Sequence, residues 1–528
     1  MTGLKESATD NPRESLNNNK EERSAAHVDA IAYEDEPAAH LHLKTYLVTF
    51  AVFCIYFAQL YNLVGLGALG RDVSAVVGGS DKITWLVNSV AIFTAVLSPP
   101  VCQAADYWGR RLFLVYLSLF GIVGSIIISR ATSMGMAIGG ACIVGISYGA
   151  QPLIHAITSE VLPRKYRPVA QAVCNVAIAM GGLIGLLVGG ALTRNGNSEG
   201  FRVLDWIGEV PWTNAIVLTP FLIGCGFLLA LGFYEWKIKK DGMFHHALFS
   251  SGRNFAIGLI CILGEGLTFF GANSYYAFQI STFYETDALL VGVRYGIAFI
   301  IYVLASVAGG IYCSRYKKVR WPTIIGLGSF VVFNVCMATT TPTSDAPTWG
   351  YVVFVGLGLG LCLCAVVSAA QLTTPPELIS ITSGLLISMR SVAGVIGLPI
   401  YSAVFNSKLS ANLGEDIAQA VLPLGLPESS LPALIEDLLA HITSTPDTVP
   451  GVTEEIYIAG AGGMLDAFSV AFRFVWITAG VLACCAAITA IFLYDPKHEF
   501  NMHIDAPAEK VEDLYDADIA EAIHHQHA

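Results

Sequence analysis

Glu265 stands inside the apolar run 255–279, where an ionised carboxylate costs at least ~2–3 kcal/mol at bilayer depth and so marks a candidate for function. At helical spacing it shares a face with Thr268, Ala272, Tyr276 and Gln279, a polar stripe suited to lining a cavity. Desolvation suits such a group to take up and release a coupling proton near neutral pH. The alternative is a plain hydrogen bond to a neighbouring helix. Arg390 lies in the run 383–405, about two turns from its start, within reach of snorkelling. It either packs against or pairs with a neighbour, or reads substrate charge. His155 and Glu160 close the run 135–157, with Tyr148, Gln151, His155 and Thr158 on one face. They form a proton relay or the polar end of a helix. Tyr56 and Gln59 share a face with Asn62 nearby, as do Ser368 and Gln371 elsewhere; these are candidate cavity contacts. The abundant Phe and Tyr suit an amphipathic organic substrate and also serve ordinary helix packing.

Other chemistry is absent from the pattern. No G-x-x-x-x-G-K-[ST] cradle occurs, so ATP is not the expected energy source. The His, Cys and Ser residues form no catalytic constellation, which argues against an enzyme and leaves secondary transport. The 12 Cys lie in or beside apolar runs, and none falls in 406–467, so disulfide stapling is not expected. Neither Cys362-x-Cys364 nor Cys484-Cys485 has zinc spacing, and His524-His525-Gln-His527 reads as solvated tail rather than a metal site. No metal or cofactor is expected.

The elements that must position these residues are membrane helices. The chain has 528 residues, 54% of them hydrophobic and 13% charged, against about 25% charged in a soluble domain. Mean hydropathy is +0.60. A nucleic-acid binder, a secreted disulfide scaffold and a cytosolic enzyme are all poor fits. Crossing a ~30 Å hydrocarbon core takes about 20 mostly apolar residues. Twelve such stretches occur, near 45–66, 84–104, 112–129, 135–157, 170–192, 213–233, 255–279, 290–313, 322–340, 349–371, 383–405 and 468–493. The expected class is an all-α polytopic membrane protein in a lipid bilayer.

The formal net charge of −12 sits in the tails. Residues 1–43 carry nine acids and four bases, and 494–528 carry nine and two, leaving a neutral body. Both tails are expected to be disordered. The connections 105–111, 158–169, 234–254, 314–321 and 372–382 hold 13 Lys and Arg together, against six in the alternate set. The inside-positive bias therefore places the first set, and both termini, in the cytoplasm. Residues 1–43 do not read as a signal peptide. The loop 406–467, with its amphipathic stretch Leu431–Ile442, is expected to cap the outer face.

Asp106-Tyr-Trp-Gly109-Arg110-Arg111, between the second and third stretches, resembles the signature of the major facilitator superfamily. There the Asp meets the end of a neighbouring helix, the Arg pair makes charged contacts across the inner face, and Gly109 allows the tight turn. Contacts of this kind lock one conformation and break in the other. Arg110 and Arg111 also fit as plain inside-positive charges, and Cys102 stands where Gly is usual. Gly181-Gly182-Leu-Ile-Gly185-Leu186-Leu-Val-Gly189-Gly190 resembles the exporter-associated motif G-x-x-x-G-P-x-x-G-G, with Leu186 in place of Pro, or serves as a general small-residue packing face.

Ser159-Glu160-Val-Leu-Pro163-Arg-Lys-Tyr-Arg167-Pro168, Tyr234-Glu235-Trp236-Lys237, Ser388-Met-Arg390-Ser, Val449-Pro450-Gly451-Val-Thr453, Ala471-Phe472-Arg473 and His503-Ile-Asp505-Ala506-Pro507 together resemble the fungal trichothecene efflux pump family, related to siderophore–iron transporters. The resemblance implies two bundles of about six helices around a central cavity, here 44–233 and 255–493 joined by the linker 234–254. It also implies proton-driven export of a toxin-like amphipathic molecule. The rivals are siderophore–iron uptake and a non-transporting sensor or inactive remnant. A monomer in the plasma membrane is expected, with vacuole or vesicles as alternatives. Family members have fourteen spans. Here Phe201-Arg202, Asp205-Trp206-Ile-Gly208 and Pro211-Trp212 follow one another within twelve residues, as though two helices between them were absent.

Overall fold

The computed structural model describes residues 43–79, 82–194, 198–204, 253–440 and 452–505. The expected sixth span at 213–233, nearly all of the linker 234–254 and the stretch 205–212 lie outside the described residues. Those described hold 11 helices long and apolar enough to cross a membrane.

The first bundle comprises α1 (Leu43–Val77), α2 (Thr84–Trp108), α3 (Arg110–Ser129), α4 (Met134–Tyr148), α5 (Gln151–Glu160) and α6 (Arg167–Leu192). The second comprises α7 (Arg253–Phe283), α8 (Ala288–Tyr316), α9 (Arg320–Ala338), α10 (Asp345–Leu372), α11 (Ile379–Val421), α12 (Leu431–Ala440) and α13 (Glu454–Ala490). Within the first, α1 packs on α6, and α4 on both α2 and α3. Within the second, α7 packs against α10, α11 and α13, while α9 lies against α10 and α13. The bundles meet along two seams, α6 against α8 and α2 against α11. The turn between the spanning helices α2 and α3 puts Asp106–Arg111 at one end of the molecule, called the motif side; the other is the far side.

Local chemistry sets several boundaries. Gly109, at φ 91°, separates α2 from α3, a conformation that costs a residue without a β-carbon little. The expected fourth span is two helices, because Pro152 at the start of α5 cannot donate to the turn before it. Arg202 caps the far end of α3, its Nη1 donating to Ser129 O at 3.1 Å and Ala131 O at 2.9 Å, carbonyls that the helix end would otherwise leave unpaired. Asp287 caps α8, accepting from Leu289 N at 3.0 Å, and also pairs with Arg194 at 2.8 Å. Asp287→Ala is expected to lower stability by about 1–2 kcal/mol, mostly through the lost cap. Asp287→Asn, which keeps a capping oxygen, should lose less than about 1 kcal/mol, as a thermal unfolding midpoint in detergent would register.

Two expectations about the connections need correction. Among its described residues the stretch 406–467 is largely helical: α11 runs on to Val421, α12 occupies Leu431–Ala440, and α13 begins at Glu454. Its Ile417, Val421, Leu434 and Leu438 join the apolar interior. Hydropathy marks only the part of a helix that lipid requires, whereas polar residues such as Lys408 and Asp416 continue the same helix beyond it. The start of the C-terminal tail is also ordered. Residues 495–505 fold back along the motif side, because Arg164 and Arg167 supply partners for its acids.

Candidate functional site

Glu265 on α7 and Arg390 on α11 face each other in the interior of the second bundle. Arg390 Nε donates to Glu265 Oε2 at 2.7 Å and its second nitrogen, Nη2, to Oε1 at 3.0 Å. Glu265 is fully buried and Arg390 is 5% exposed, so the arginine does not snorkel. Its guanidinium also lies 4.5 Å over the Phe269 ring, a favourable place for a desolvated cation. The two helices come close here: a β-carbon on Gly266 would lie 2.6 Å from Arg390 O. Arg390 is near enough for its charge to act on Tyr56 and His155 of the first bundle.

The other members of the α7 stripe do not line an open cavity. Thr268 bonds back to Gly264 O at 3.2 Å. Tyr276 donates to Thr348 O at 3.2 Å, and Gln279 accepts from Trp476 Nε1 at 2.7 Å. Both of these are contacts inside the second bundle. A helix has more than one polar face, and spacing alone did not say which one met the opposite bundle.

Toward the motif side, a continuous polar network closes the space between bundles. Tyr56 Oη and His155 Nε2 are 3.0 Å apart, and His155 Nδ1 lies 2.5 Å from Gln171 Oε1. Gln171 Nε2 donates to Ser159 Oγ at 2.6 Å and Gln371 Oε1 at 3.3 Å. Ser159 Oγ donates to Gln371 Oε1 at 2.7 Å, and Gln371 Nε2 donates to Ser383 Oγ at 2.9 Å. Arg167 Nη1 adds a bond to Gln371 O at 2.9 Å. Residues of α1, α5 and α6 are thus tied to α10 and α11. Gln59 belongs to the same side, donating to Ser147 O at 3.1 Å, while Gln151 is buried at the start of α5. Gln171, Ser159 and Arg167 were not among the residues singled out for chemistry; Ser159 and Arg167 stood in a family motif, and Gln171 gave no signal.

Glu160 does not extend this network. It pairs with Arg110, which also contacts Asp106 at 3.1 Å. Arg110 therefore joins the end of α2, the start of α3 and the end of α5, while Arg111 is exposed. His155 and Glu160 thus have separate partners. Cys102 is buried against Gly384 of α11, whose β-carbon would lie 3.2 Å from its sulfur.

The ordered tail meets this side through Asp505. It contacts Arg164 at 2.7 Å and pairs with Arg167. Burial alone would raise the Asp505 carboxyl, but these two guanidinium groups outweigh it and hold the group below its ordinary value. A carboxyl with a depressed folded pKa contributes stability above its unfolded pKa and loses it as pH falls through the folded one. The tail contact should therefore resist limited proteolysis equally at about pH 5 and about pH 8, and give way only in stronger acid.

On the far side the bundles part around a cavity of about 690 Å³, within the range of small-molecule sites. Leu66, Gly67, Leu69 and Leu186 of the first bundle form one wall; Tyr275, Phe278, Tyr295 and Phe405 form the other, with Ser274, Ser281, Ser402 and Asn406 among them. The glycine motif builds the adjoining seams. A β-carbon on Gly181 would lie 2.4 Å from Phe57 O, on Gly185 2.5 Å from Tyr61 O, on Gly189 3.2 Å from a Leu69 methyl and on Gly190 2.8 Å from Ala288 O. The helix α6 therefore touches α1 and α8 almost backbone to backbone. Leu186, buried where Pro was expected, lines the cavity.

Comparison with known proteins agrees with this architecture. The family model of the Major Facilitator Superfamily matches residues 48–398. The MFS-type efflux transporter pyiT of Pyricularia grisea is 24% identical over 63% of this chain and 64% of its own, so the match spans just under two thirds of that relative. The Trichothecene efflux pump TRI12 of Fusarium sporotrichioides is 18% identical over 91% of both chains. Among solved structures, a bacterial homolog to human lysosomal transporter Spinster, in an inward-facing and occupied conformation, matches with TM-score 0.58 at 17% identity. The match covers 86% of this chain and 97% of that one.

Proposed function

The chain belongs to the major facilitator superfamily, and from that premise we propose that it exports an amphipathic organic metabolite in exchange for protons. Transport fits the efflux transporters it resembles. The observation that carries the finer reading is the pairing of a closed polar network on one side with a cavity on the other. The connection that carries Asp106–Arg111 belongs to the set with 13 Lys and Arg, against six in the alternate set, which supports a cytoplasmic motif side. The cavity then opens outward, and the arrangement is that of a transporter after release of its substrate. The plasma membrane is the proposed location, and the monomer the working unit.

The substrate class follows from the cavity wall. Four aromatic rings face a largely aliphatic wall that also carries Asp72, with hydroxyl and amide groups between them. That lining favours a molecule with an apolar body and a few oxygens at its edge. A trichothecene-like toxin has this character.

Glu265 is the proposed site of coupling. Ionised, it holds Arg390 through two bonds. A proton arriving from the outer cavity neutralises the carboxylate and frees Arg390 toward Tyr56 and His155. The bonds joining Gln371 to Ser159, Gln171 and Arg167 then break, and the bundles rock to open the inner side. Substrate binding from the cytoplasm and proton release inside reverse the change. A sensitive yeast strain expressing the protein should tolerate toxin better and accumulate less of it, with both effects abolished by a protonophore. Unchanged accumulation with the protein at its membrane would count against export.

A further inference from the structure

The segment after α13 touches both bundles. Asp495 Oδ1 accepts from Val319 N at 2.7 Å and Arg320 N at 2.9 Å, capping the start of α9. Tyr494 and Asn254 bond reciprocally at 2.9 and 3.1 Å. Phe500 is buried among Cys313, Val319, Ala365, Ala369 and Leu372. These contacts fix the segment to the second bundle. It then reaches the first: Arg164 N donates to His503 O at 2.9 Å and Lys165 N to Asn501 O at 2.8 Å. Arg164 contacts Asp505 at 2.7 Å and Glu499 at 3.2 Å, and Arg167 pairs with Asp505. Arg167 in turn donates to Gln371 O, across the seam, at 2.9 Å.

We propose that residues 495–505 are a clamp on the motif side, in which Asp505 positions Arg167 against Gln371 and biases the two bundles toward the closed inner gate. The clamp is anchored on one bundle and ion-paired to the other, so separating the bundles on this side must break the Asp505 contacts or pull Phe500 from its pocket. Charge-assisted bonds to a largely buried carboxylate are strong, which makes the clamp a sizeable term in the equilibrium between the two open states. The proposal rests on the rocking motion described above, but its test needs neither substrate nor proton gradient.

Hydrogen exchange of the full-length protein in nanodiscs, followed by mass spectrometry, tests it. With Asp505→Asn, exchange should rise roughly tenfold, the scale of one lost charge-assisted contact. The rise should cover both faces of the inner seam, in peptides around Ser159–Gln171 and Gln371–Ser383. Peptides of the far-side cavity around Ser274–Ala288 should not show it. Asp505→Glu keeps the charge and should stay within about twofold of the wild type. Arg164→Gln leaves the Arg167–Asp505 pair and should give a smaller rise at the same seam, which decides the matter if Asp505→Asn fails to fold. The proposal is overturned if the rise is confined to 163–167 and 495–505, if the seam does not respond to Arg164→Gln, or if Asp505→Glu behaves like Asp505→Asn. Absence of proton-driven transport by the wild type, with a responsive seam in the variants, would instead count against the proposed function alone.

Discussion

Replacing Arg390 by alanine is expected to cost about 3–5 kcal/mol, because it leaves the Glu265 carboxylate buried without its partner. The expected result is a large fall in the yield of monodisperse protein and a loss of transport in whatever remains. Two further variants separate stability from mechanism. Replacing both Glu265 and Arg390 by leucine removes the desolvated charges together, which is often neutral or stabilising. That double variant should recover much of the yield and none of the proton-driven flux. Glu265→Gln keeps the size and one hydrogen-bonding edge but leaves the buried Arg390 cation without its counter-charge. It too should lose stability, less than Arg390→Ala because the amide oxygen still accepts a bond, and the fraction that folds should lose coupling. A double variant no better folded than Arg390→Ala would show that the pair matters for shape rather than charge.

The second large effect is expected at the glycine-lined seam. A β-carbon at Gly181 would sit 2.4 Å from Phe57 O and 3.1 Å from Tyr61 N. Backbone atoms stand in the way, so a flexible side chain cannot swing aside to relieve the contact. Gly181→Leu should therefore cost about 3 kcal/mol, at the upper end of overpacking, by forcing α6 away from α1. Gly328 on α9 has nothing within 4 Å of its would-be β-carbon, and Gly328→Ala should be neutral or stabilising by up to about 1 kcal/mol. Thermal unfolding in the same detergent compares them directly. Equal midpoints for the two variants would mean that α6 and α1 are not held at that distance.

The all-helical membrane fold was legible in the sequence because lipid imposes a length and an apolar composition on every crossing helix. Helix ends were not, since nothing requires a helix to stop where the apolar run stops; α11 continues from the run 383–405 to Val421. Glu265 and Arg390 each stood out as charges in apolar surroundings. Their pairing did not, because they lie 125 residues apart and no spacing rule connects them. The α7 stripe was legible as a stripe but not as an orientation. Tyr275 and Phe278 meet the cavity, whereas Tyr276 and Gln279 bond within their own bundle. Tyr56, His155 and Gln371 stood out separately, but the network that joins them did not, because Ser159, Gln171 and Ser383 are ordinary polar residues until the two bundles bring them together.

Glu265 also joins the structure to the proposed energy source. The most direct measurement is efflux of a labelled trichothecene-like probe in proteoliposomes, with an imposed pH gradient and with wild type and Glu265→Gln compared at equal reconstitution. Coupling through Glu265 requires probe movement against the proton flux in the wild type, abolished by a protonophore and absent in Glu265→Gln. Gradient-driven movement that persists in Glu265→Gln would contradict it.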